Sequence, residues 1–116
     1  MKSWKPIFIE NSKVPVWLSK FAPIEINAIA LFPFVFSRSV TTETTRRHET
    51  IHFQQQLETF VLFFYAIYLW DYLKAKVKGV SGALAYRSIR AEREAYDNQS
   101  DEGYLATRRR FRWLKQ

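Results

Sequence analysis

The chain has 116 residues, a net charge of +7, 47% apolar residues and no cysteine. That length supports one domain around one core, and the composition excludes a disordered chain, a disulfide framework and a thiolate metal site. The first thirteen residues, MKSWKPIFIENSK, contain no apolar run of signal-peptide length, so a cytoplasmic protein is expected.

Residues 1–23 read as irregular. Pro6, Pro15 and Pro23 separate the short apolar clusters IFI (7–9) and VWL (16–18), which pack as coil or short strands. Residues 24–36, IEINAIALFPFVF, begin with rough alternation and predict a strand over Ile24 to Leu31, with Pro33 at an edge or an ending. Thr41, Thr42 and Thr44 are candidate caps for a helix that nothing interrupts from Thr44 to Ala75. Within it, residues 46–58 are polar on most faces, whereas beyond Phe60 the helix is apolar nearly all round, which predicts burial on several sides. Gly79 and Gly82 mark a turn, a second helix fits Ala83 to Asn98, and Ser100 opens a short third. The longest apolar runs, Phe60–Trp70 and Ala28–Phe36, fall short of the roughly 17–25 residues of a spanning helix. A buried helix is the simpler expectation for the first, with an interfacial or oligomer-forming surface as the competitor. The fold class expected is mainly α with a small β element (α+β).

The stretch RRHETIHFQQQLE carries both histidines of the chain. Four residues apart on a helix, His48 and His52 lie one turn apart on one face and can aim their imidazoles at one point. Neutral imidazole is a good zinc ligand, and Glu49 sits beside that point rather than on it. This is the H-E-x-x-H arrangement, in which the glutamate acts as general base on a zinc-bound water. Three protein ligands are usual for such a metal. With no third histidine and no cysteine, the third side chain must be Asp or Glu. Gln55 stands where an H-E-x-x-H-x-x-G-x-x-H layout needs glycine, so that layout is excluded. Glu10 and Glu25 lie upstream, and Glu58 points away from the histidine face. Asp71 would be about 28 Å along a continuous rod. Glu92, Glu94 and Asp97, followed by Asp101 and Glu102, form the remaining acidic cluster. The two helix lengths mismatch, so the first must bend or end early, or the linker must run back along it, to bring that cluster back.

H-E-x-x-H with a glutamate on a downstream helix resembles the gluzincin metallopeptidases, several branches of which carry that glutamate in an E-x-x-A-(D/N) motif. Here the matching residues are Glu92-Arg93-Glu94-Ala95-Tyr96. HETIHFQQQLE also looks like an HE-hydrophobic-x-H-x-x-Q-Q pattern of small bacterial and phage-associated members. The resemblance implies a single minimal zincin-like domain over residues 1–116, a long helix packed on a second, glutamate-bearing helix, and an upstream edge strand that pairs with a peptide substrate. It implies a Zn2+ held by His48, His52 and Glu92, with Glu94 as the alternative third ligand and Glu49 as catalytic base. Tyr96 replaces the Asp or Asn that orients a ligand histidine, and Asp97 or Asn98 can supply that contact instead. The function expected is a zinc-dependent peptidase acting on a peptide or protein substrate.

Competing expectations attach to the same residues. Glu94 is correctly spaced to pair with Arg90, Gln54, Gln55 and Gln56 form a polar helix face, and Gln55 and Gln56 can also hydrogen-bond a ligand or substrate. Tyr96 and Tyr104 are core aromatics or oxyanion donors. The last nine residues, RRRFRWLKQ, read as a solvated or frayed basic tail, able to meet an acidic partner, nucleic acid or a membrane surface. Two alternative functions follow: a non-catalytic zinc-binding assembly protein that oligomerises through its aromatic surface, and a basic nucleic-acid- or membrane-surface-binding protein.

Overall fold

A computed structural model of the chain describes residues 5–20 and 26–115. The expected strand at Ile24 to Leu31 therefore lies partly outside the described residues, as does the acidic candidate Glu25. Its later half forms β2 (Ala28–Leu31), which turns through Phe32 and Pro33 into β3 (Phe34–Ser37). The IFI cluster forms β1 (Ile7–Ile9), parallel to β3, while β2 is antiparallel to it, giving the order β1-β3-β2. Among the described residues β2 is thus an edge strand. The VWL cluster is helical, in α1 (Val14–Ser19), with Pro15 in its first turn where a missing N–H costs nothing.

α2 (Glu43–Glu58) starts where Thr42 accepts a hydrogen bond from the Thr45 N–H. Glu10 anchors this start, accepting from the Thr41 N–H and hydroxyl at 2.6 Å each and facing Arg46, so it is not near the histidines' target. The uninterrupted helix expected from Thr44 to Ala75 is broken. Phe60 and Val61 both take positive φ, and α3 (Leu62–Val77) leaves in a new direction. Tertiary bonds hold this break: Gln56 Nε2 and the Tyr65 hydroxyl, from either side of it, both donate to the Ala30 carbonyl of β2. Nor is α3 buried on several sides; only Phe64 and Asp71 of its residues are buried.

The second predicted helix is also two, α4 (Gly82–Ser88) and α5 (Arg90–Asn98), hinged at an extended and fully buried Ile89. Asp71 caps α5, accepting from the Arg90 N–H at 3.2 Å and from its guanidinium at 2.9 and 3.0 Å. A short α6 (Tyr104–Thr107) and a 3-10 turn at Arg112–Lys115 close the chain. The core joins Phe64, Ile89, Ala91 and Trp113. The C-terminal segment is therefore not a frayed tail: Trp113 is completely buried, and Arg108 is 2% exposed. The architecture is mainly helical with a small sheet, in line with the expected class.

Candidate metal centre

α2 packs along α5 and brings His48, His52 and Glu92 together in the interior. Glu92 Oε1 lies 3.2 Å from His48 Nε2 and 3.1 Å from His52 Nε2. Each histidine is oriented by its other nitrogen: His48 Nδ1 lies 2.7 Å from Gln99 Oε1, and His52 Nδ1 lies 2.8 Å from Gln55 Oε1. The Gln55 amide direction is forced, because its Nε2 donates to the Ala91 carbonyl and to Glu94. An amide oxygen facing Nδ1 requires a proton there, so in neutral His52 the Nε2 lone pair is the free one. Gln99 presents its amide oxygen to His48 Nδ1 in the same way. With both rings neutral, two lone pairs and a carboxylate oxygen converge, a set that a metal ion satisfies and that a proton on His52 Nε2 satisfies in the absence of metal.

The electrostatics favour positive charge at the same point. Burial alone would lower the pKa of His52, but the adjoining Glu92 carboxylate outweighs it and raises the value to about 9. Burial would raise that of Glu92, but His52 and His48 hold it well below the ordinary carboxylate range. The Tyr68 hydroxyl donates to the other Glu92 oxygen at 2.5 Å and fixes the carboxylate plane. Ligand bonds of about 2.0–2.2 Å in a tetrahedral set place donor atoms roughly 3.3 Å apart; Glu92 Oε1 stands 3.2 and 3.1 Å from the two imidazole nitrogens, and the three donors lie within 4.8 Å of one another. The three side chains can hold a metal ion.

Among protein-family models, curated proteins and solved structures, none matches this chain. The functional reading therefore rests on the site itself.

Glu49 adjoins this triad and, with His52 and Glu92, lines a cavity of about 530 Å³. Its carboxylate is buried without a hydrogen-bond partner among the described residues. Burial raises its pKa, against the opposing pull of His52 and His48. The rest of the cavity wall is β2 with apolar and tyrosine side chains, among them Phe64, Tyr65, Tyr68 and Tyr86.

Glu94, the alternative third ligand, is turned away. It accepts from Arg108 Nε at 2.7 Å and Nη2 at 2.9 Å, and from the Tyr104 hydroxyl. Arg108 also bridges to Glu58 at 2.6 and 3.1 Å and reaches Gln54. Glu94 therefore pairs with Arg108 rather than Arg90, and Gln54, Gln55 and Gln56 are buried rather than forming a solvated face. Tyr104 serves this network and not the triad.

Of the residues expected around the ligands, Tyr96 sets its ring edge-on to His48, with centroids 4.6 Å apart, and carries the Arg87 guanidinium on its face. Asn98 instead donates to the Glu94 carbonyl, and Asp97 is exposed. The residue that orients His48 is Gln99. Helical spacing holds the signal: Tyr96 and Gln99 lie four and seven positions after Glu92, on its face, whereas Asn98 follows Glu94. Tyr68 carries no such signal, since α3 reaches the site only through the break at residues 59–61.

Gln99→Leu is expected to weaken zinc binding by roughly 10- to 100-fold without unfolding the chain, because it frees the His48 ring. Competitive titration against a chromophoric chelator measures this, and an unchanged affinity would show that Gln99 does not support a ligand.

Proposed function

We propose that this chain is a zinc-dependent hydrolase of the gluzincin kind that cleaves an extended peptide. The observation that carries the reading is the convergence of His48, His52 and Glu92 beside an untethered, buried Glu49 in one cavity. Two imidazoles and a carboxylate are a donor set suited to zinc. When bound, the metal supplies a Lewis acid that polarises a carbonyl and acidifies a water.

The chain's own residues account for the remaining steps. Glu49 takes a proton from the attacking water as the oxygen joins the substrate carbonyl carbon. It returns that proton to the amide nitrogen as the C–N bond breaks. A carboxylate whose pKa is raised by burial holds a proton longer near neutral pH, as a base that must become an acid requires. Gln99 and Gln55 fix the imidazoles, and Tyr68 fixes Glu92. β2 lines the cavity with one side paired to β3, and an extended peptide laid along its other side adds a strand. The Ala30 carbonyl is already taken by Gln56 and Tyr65, so such pairing centres on Ala28 and the Ala30 N–H.

The test is cleavage of an unstructured protein substrate by the zinc-loaded chain, read by mass spectrometry, with Glu49→Gln in parallel. New termini that appear with wild type and not with the variant support the reading. Equal cleavage by both, or none by wild type, contradicts it.

A further inference from the structure

We infer that the outer face of α3 is a docking surface for an anionic lipid bilayer, on which the protein lies without spanning it. The inner face of α3 sends Phe64 and Asp71 into the protein. The opposite face is a stripe of Leu62, Phe63, Leu69, Trp70, Leu73 and Val77, with Trp70 63% and Val77 88% exposed. At about 100° per residue these positions cover about 120° of the helix surface. On the same reckoning Lys76 borders the stripe on one side and Lys74 on the other, and Lys78 follows at the end of the helix. The only acid in α3 is Asp71, which is buried and bound by Arg90. The exposed face thus combines a wide apolar band, a tryptophan and basic flanks, with no acidic side chain.

That combination fits the boundary of a bilayer. Apolar side chains enter the acyl region, tryptophan sits at the headgroup level, and lysines reach the anionic headgroups. No helix among the described residues is long and apolar enough to cross a membrane, so the face contacts a leaflet from one side. Charge complementarity selects lipid over a second copy of the chain: two such faces laid together would bring lysines to a surface without carboxylates. The turn before α3 extends the apolar surface, because Phe60, held at positive φ, is 81% exposed. Leu69 belongs both to this stripe and to the cavity lining, so the cavity opens beside the proposed contact.

Co-sedimentation of the full chain with vesicles tests the inference, using phosphatidylcholine alone and phosphatidylcholine with about one-third phosphatidylglycerol. Binding is expected to the mixed vesicles, weaker to the neutral ones, and reduced by salt. Replacing Lys74, Lys76 and Lys78 together by glutamine is expected to lower affinity for mixed vesicles about 100-fold, near fivefold for each lysine. Trp70→Ser with Leu73→Ser is expected to abolish binding to both. All five side chains are exposed, so circular dichroism and melting should match wild type. Absence of vesicle binding by wild type overturns the inference, as does binding that neither variant weakens. A dimer in sedimentation equilibrium that the Trp70/Leu73 variant splits, with no vesicle binding, overturns it in favour of a second copy.

Discussion

Glu49→Gln is expected to slow peptide hydrolysis between about a hundredfold and ten-thousandfold, the usual contribution of a general base. Zinc content should not change. Glu49 is not among the three converging donors, and glutamine keeps its volume in the buried wall. The variant removes only the group that can accept and return a proton. Steady-state kinetics on a peptide identified as a substrate, with elemental analysis of the same samples, checks both halves. Loss of zinc together with activity would make Glu49 a ligand. Retained activity would remove it from the reaction.

Arg108→Met is expected to destabilise the chain by about 3–5 kcal/mol, the cost of leaving buried charges without their partner. Glu58 and Glu94 both point at this guanidinium, and their side chains are 4% and 0% exposed. Globular domains have only about 5–15 kcal/mol in total, so the variant should melt on the order of 15 °C lower. Arg109→Met, at an exposed neighbour, should stay within about 0.5 kcal/mol of wild type. Urea unfolding of both variants measures the difference. If Arg108→Met matched the control, the C-terminal segment would not be docked as described. The same network makes truncation at residue 108 a poor probe of a basic tail, because it also removes the buried Trp113.

Much of the helical part of the site is legible in the sequence, because it depends on local spacing. A spacing of four from His48 to His52 puts both on one face of α2, and the mismatch of helix lengths leaves a bend, an early end or a returning linker as the ways to bring the acidic cluster back. The choice between Glu92 and Glu94 is not local. Arg108, fourteen residues beyond Glu94, occupies that carboxylate from the far side and leaves Glu92 beside the histidines. A run of arginines looks solvated when counted as charge, yet the first of them enters the core to meet two acids. The break at Thr59–Val61 lacks glycine and proline. Its cause is tertiary: α3 must turn back so that Tyr65 reaches β2 and Phe64 reaches the core. Apolar residues on every side of α3 conceal which face is inward, so periodicity cannot reveal that the stripe from Leu62 to Val77 faces out.

Zinc per chain is the measurement that bears most directly on the centre, made by elemental analysis after zinc loading at neutral pH and passage over a chelating resin. One zinc per wild-type chain is expected, and almost none on Glu92→Ala, which removes the carboxylate shared by His48 and His52. A wild-type chain that holds no zinc, or a folded Glu92→Ala chain that keeps it, would contradict a metal centre built from these three side chains.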